Sequence, residues 1–125
     1  MSATPVFASV GHNGILQLAN ADSTNASAAI ITGVAAGTRI KEIRVYSGPT
    51  TAPGTGVLVL LIHDGSTTNV FEVLTLTNTV SIQQGVFRYD NLILPSTSWN
   101  IKAQMRTAIT SGGTVHISIL GEDLT

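Results

Sequence analysis

Residues 57–64, VLVLLIHD, constrain this chain more than any other stretch. Successive side chains of an extended chain point to opposite sides, so Val57, Val59 and Leu61 fall on one face and Leu58, Leu60 and Ile62 on the other. A segment that is apolar on both faces needs cover on both, which predicts a strand deep in the fold. The run is short, is bounded by Gly56 and Gly65, and contains β-branched residues, all of which favour strand over buried helix. Gly65, Ser66, Thr67 and Thr68 then form a connection, and residues 69–76, NVFEVLTL, lead back. Two such runs around turn residues read as a β-hairpin. In the returning arm, alternation places Val70, Leu74 and Leu76 on one side and Phe71, Val73 and Thr75 on the other.

The remaining segments have the same character. Short apolar runs at residues 15–18 and 28–32 read as strands, separated by the loop-forming residues 20–25. Residues 39–47, RIKEIRVYS, are a strand with a change of phase: Ile43 and Val45 share one parity and Ile40 has the other. A bulge near Lys41 and Glu42 would turn all three inward. Residues 48–56, GPTTAPGTG, carry the densest loop signal. A polar connection over 77–85 holds a possible short strand at 80–82, and residues 86–94 form a strand that stops at Pro95. Residues 99–106 alternate cleanly, with Trp99, Ile101, Ala103 and Met105 inward, and residues 114–120 repeat the pattern with Val115, Ile117 and Ile119. These make about eight strands at the spacing of two-sheet folds. The predicted architecture is all-β: a single-domain antiparallel β-sandwich, specifically a jelly roll. Residues 14–125 make up the sandwich, and residues 1–13 form an N-terminal arm whose Pro5, Val6, Phe7 and Val10 are the candidate partner-binding residues.

Composition narrows the function classes. Only 10% of residues are charged, the net charge is −1 and the pI is about 6.2. The six basic residues form no stripe of the kind a nucleic-acid binder needs, so no nucleic-acid partner is expected. Without cysteine there is no disulfide framework and no thiolate metal site. No apolar run approaches the ~18 residues of a membrane span. The N-terminal residues lack the basic and apolar regions of a signal peptide, so a soluble, cytoplasmically synthesised product is expected.

No catalytic constellation emerges, and no enzyme activity, metal or cofactor is expected. His12, His63 and His116 lack metal-ligand spacing. His63-Asp64 reads as a strand-end histidine beside a turn-forming aspartate. Glycoside hydrolysis needs two carboxylates across a cleft; Glu42 and Glu72 read more simply as solvated residues of an outer face, and Glu122-Asp123 as a tail pair. Trp99 and Tyr89 are the candidate sugar-stacking aromatics, although the parity of Trp99 with Ile101 and Met105 favours packing in the core.

Three stretches carry a resemblance: GTRIKEIRV at residues 37–45, LLIHDG at 60–65, and Leu94-Pro95 leading into SWNIKA at 98–103. Across about residues 28–121 the chain resembles a group of small all-β proteins of tailed phages and prophages. Similar small jelly-roll proteins of phage heads act as decoration, or cement, proteins. The resemblance implies a non-enzymatic structural virion protein, located on the capsid surface, that binds the major capsid protein and stabilises the shell as a homotrimer. The alternative is a receptor- or glycan-binding module of a phage tail or head fibre. The shared motifs are turn glycines and core parity, and they carry no contact residue over.

Overall fold

The structure, a computed structural model, describes residues 10–22 and 24–124. The candidate contacts Pro5, Val6 and Phe7 therefore lie outside the described residues. Among the described residues there are nine strands: β1 (Val10–Gly11), β2 (Gly14–Ala19), β3 (Ile31–Thr32), β4 (Thr38–Ser47), β5 (Val57–His63), β6 (Thr68–Thr75), β7 (Gln83–Leu94), β8 (Asn100–Met105) and β9 (Thr114–Asp123). β1 and β2 lie end to end along β9, so they act as one interrupted strand.

The pairing is nested around the central hairpin. β5 pairs with β6, β4 with β7, β3 with β8 and β2 with β9, all antiparallel. Additional pairings of β5 with β8 and of β4 with β9 fold this long double ribbon into two sheets. One sheet runs β1/β2-β9-β4-β7 and the other β3-β8-β5-β6. A ribbon of four nested strand pairs rolled into two facing sheets is a jelly roll.

The interior is filled by Ile40, Ile43, Val45, Leu58, Leu60, Leu94, Ile101, Ile117 and Ile119, all fully buried. The bulge expected in β4 is present: Ile40 pairs with Gly121 and Glu42 with Leu120, leaving Lys41 as the extra residue against β9. It brings Ile40 into phase with Ile43 and Val45. β5 is buried on both faces, as its sequence requires. Its outer residues Val59 and Leu61 are 1% and 7% exposed, and their cross-strand neighbours, Val73 and Gln104 for the first and Val70 and Lys102 for the second, flank them within the sheet.

β6 departs from simple alternation. Leu60 pairs with Glu72 and Leu61 with Val70, so Phe71 is the extra residue of a second bulge. Val70 consequently shares the outer face with Val73, and both are exposed, while Phe71 and Leu74 pack against the core. Seating the larger phenyl ring inside removes more apolar surface from water than seating a valine. Other boundaries move too. Residues 80–82 are not a strand, and Ser81 there has a positive φ of 53°. The strand expected over residues 28–32 is reduced to two residues, although Ser27 and Ile30 still bond to β8 carbonyls. β9 runs on through Glu122-Asp123, which are part of the sheet and not a loose tail.

Both open sides of the roll are held closely. Tyr89 of β7 donates its hydroxyl to Glu72 of β6, and the Phe71 and Tyr89 rings lie 6.3 Å apart. Burial, together with that bond to Glu72, pushes the Tyr89 hydroxyl well above its ordinary pKa. On the opposite side a side chain on Gly14 of β2 would overlap the Ile30 carbonyl ahead of β3. Gly14→Ala is therefore expected to force the sheets apart and cost about 1–3 kcal/mol in urea denaturation. An unchanged midpoint would show that the two edges do not need this close approach.

Candidate binding surface

The outer face of the β1/β2-β9-β4-β7 sheet gathers the charges of a chain that has few. Extended alternation turns Arg39, Glu42 and Arg44 of β4 outward, and the bulge adds Lys41 beside them. Glu42 lies opposite Arg88 of β7 and Arg39 opposite Glu122 of β9. Glu42 is bridged on both carboxylate oxygens, by Arg44 Nε on one and by Arg88 Nε at 2.9 Å on the other. Its side chain is only 11% exposed, so it is not the freely solvated acid that its position on an outer face suggested. Glu122 sits more loosely between Arg39 Nη1 at 3.8 Å and Lys41 Nζ at 3.7 Å. Removing Glu42 would leave two guanidinium groups crowded together. Glu42→Ala is expected to lower stability by about 1–2 kcal/mol, the exposure of both arginines limiting the loss. A thermal melt showing no loss would mean the bridge contributes nothing.

Between these groups lies a depression of about 480 Å³ whose lining includes Gly11, Asn13, Lys41, Arg88, Leu120 and Glu122. Asn13 Oδ1 accepts the Gly121 amide at 3.3 Å, which fixes one wall. Gly11 faces open space: a Cβ there would meet no heavy atom within 4 Å.

One end of this face is tied down by a cluster that joins the link between β1 and β2 to β4 and β9. His12 Nδ1 donates to Asp123 Oδ1 at 2.7 Å, and Thr38 Oγ1 donates to the same oxygen at 2.9 Å. Thr38 Oγ1 also accepts the Val34 amide at 3.2 Å, in the turn closed by Gly37 at φ 103°. Burial works against the Asp123 charge, but the hydrogen bonds from His12 and Thr38 outweigh it and hold the carboxyl below its ordinary range. Thr38 is fully buried and its hydroxyl proton is directed to the aspartate, so the trio works as a latch and not as a nucleophile with its base. Because the folded pKa of Asp123 is depressed, its contribution is complete above the unfolded value of about 4 and is lost as pH falls through the lower folded value. Asp123→Asn is expected to lower stability at pH 7 and to flatten the acid limb of the stability curve below about pH 4. An unaltered acid limb would assign that slope to other groups.

The remaining sequence candidates separate. His63 bonds to Thr68 Oγ1 at 2.8 Å at the hairpin end. Asp64 accepts the Thr67 and Ser66 amides at 2.8 and 2.9 Å, which lowers its pKa in that order of importance and makes it a turn residue. Glu42 and Glu72 stand on different sheets. Trp99 and Tyr89 are partly buried and pack against the core, as the parity of Trp99 favoured. Val10 stands exposed in β1, paired with Asp123. Sequence reasoning weighed His12 only as a metal ligand and passed over Asn13 and Leu120; all three meet β9 or β4 only through long-range pairing. Gly11 next to His12 and Asn13, an Asx-like break between two extended pieces, was the only local hint.

The nested pairing defines the chain as a jelly-roll β-sandwich. No protein-family model matches the sequence, and no curated protein matches it. Among solved structures, a chain of the cyanophage Pam1 capsid asymmetric unit is similar in fold, with a TM-score of 0.53 at 14% identity. The match covers 98% of this chain and 93% of that one. What the two share at this identity is the fold, over almost the full length of both.

Proposed function

We propose that this chain is a non-enzymatic structural protein of a phage virion, which binds the outside of the capsid as a decoration, or cement, protein and assembles as a homotrimer. The observation that carries this reading is the end-to-end likeness to a chain of the cyanophage Pam1 capsid asymmetric unit. The likeness takes in nearly all of both chains, so it concerns the whole β-sandwich and not a few of its strands. The physical character of the molecule supports the same role. Two sheets held to each other at both open sides suit a protein whose role is to brace its neighbours. On this reading the exposed strand β1 supplies a main-chain edge to a neighbouring subunit, a mode of binding that depends little on side-chain identity.

Cryo-electron microscopy of virions carrying this protein tests the reading. Density for the jelly roll repeated over the capsid lattice in groups of three is the expected result. Density confined to a tail tip or fibre would overturn it and make the protein a receptor-binding module. Light scattering on the purified protein tests the oligomer separately, with a clean monomer at high concentration counting against the trimer.

A further inference from the structure

β6 is the last strand of its sheet, with β5 beside it on one side only. Among the described residues, the main chain of β6 is hydrogen-bonded to β5 and to nothing else. The bond from Tyr89 to Glu72 links the two sheets through side chains and leaves this main-chain edge unpaired. An edge of that kind is a template for another strand unless lysine, proline, a covering segment or a bulge blunts it. β6 runs for 8 residues with no basic residue and no proline. Its one irregularity is the bulge at Phe71.

That bulge gives β6 a side-chain pattern that reads the same in both directions. Thr68, Val70, Val73 and Thr75 stand opposite His63, Leu61, Val59 and Val57 of β5 and share their outer face. Asn69, Phe71, Glu72 and Leu74 turn to the other side. From Thr68 to Thr75 the order is out, in, out, in, in, out, in, out, symmetric about the junction of Phe71 and Glu72. The outer residues are symmetric in kind too: threonine, valine, valine, threonine. Val70 and Val73 are 46% and 58% exposed.

We infer that β6 pairs with β6 of a second copy of this chain, antiparallel about a two-fold axis at the junction of Phe71 and Glu72. The pairing joins two four-stranded sheets into one continuous sheet. In this register Val70 of one copy faces Val73 of the other, and Thr68 faces Thr75, each pair occurring twice. Apolar and Thr–Thr pairs of this kind are what stabilise neighbouring strands. Self-complementarity selects the occupant, because a two-fold contact needs one patch that matches itself. An unrelated strand would meet the main chain but would not repeat the bend of the bulge or the order of the outer residues. Charge does not oppose the contact. Glu72 is the only ionisable side chain of β6; it falls opposite Phe71 and not opposite its own copy, and its carboxylate is turned to Tyr89. The contact goes beyond the proposed function and does not rest on it: it is two-fold, and where the trimer also forms it links one trimer to the next.

Light scattering on the full chain across a concentration series tests the pairing. The expected mass is that of two chains, or of six where the trimer forms as well. A mass of one or three chains at the highest concentration would overturn the pairing, and three would leave the trimer standing. A mass of two chains would overturn the trimer and leave the pairing. Charged variants then test the register. Val70→Lys with Val73→Lys sets lysine against lysine at both valine pairs and should weaken the pairing by about tenfold or more. Val70→Glu with Val73→Glu should do the same. Mixing the two proteins sets lysine against glutamate and should restore the pairing. Both positions face outward and are already exposed, so each variant should keep the thermal midpoint of the unpaired chain. A lysine variant that associates like wild type would overturn β6 as the contact. Two folded variants that fail to associate when mixed would overturn the two-fold register.

Discussion

The extra residue in β4 governs more of this structure than its size suggests. β4 is an inner strand, held by β9 on one side and β7 on the other, so its alternation sets what reaches the core and what reaches the outer face. Without the bulge at Lys41, Ile40 would be out of phase with Ile43 and Val45, and either one isoleucine or the pair would face solvent. Burying a side chain of that size contributes about 1.5–3 kcal/mol, comparable to a large share of a small domain's net stability. The same irregularity places Lys41 next to Glu42 on the outside, at the mouth of the depression. One backbone insertion thus completes the core and shapes the surface.

Scarcity of charge gives the electrostatics their form. A surface rich in Thr, Ser and Asn stays hydrated through hydroxyl and amide groups, so the few ionic side chains are free to cluster. Exposed pairs contribute little individually, but Glu42 and Glu122 each join two bases and tie three strands of one sheet together. The latch of His12, Thr38 and Asp123 does the same at one end, where the first described strand meets the last.

Those features differ in how far the sequence reveals them. The β4 bulge was legible because Ile40 and Ile43 are flanked by charged residues, so the phase change stands out. The β6 bulge was not, because Val70 and Phe71 are both apolar and either phase gives an acceptable strand; only the partner's register decides. The clean alternation of β8 and β9 predicted their buried faces correctly. Glu122-Asp123 misled because an acidic pair after a glycine resembles a solvated end, and the groups that make it structural, Arg39, Lys41, Thr38 and His12, lie more than eighty residues away. The binding surface is built from such distant pairings, which is why local pattern found the fold but not the depression.

The nested pairing also orders events in time. β9 occupies the position between β2 and β4, yet it is the last of the nine strands to be synthesised. Until it arrives, one sheet has a gap at its middle, and the strands on either side present unpaired backbone and apolar side chains. Closing that gap joins segments separated by nearly the whole chain, which favours slow, late completion over stepwise growth. The ionic face, the latch and the sealed interior therefore all hang on one set of pairings, those of β9 with the strands on either side of it.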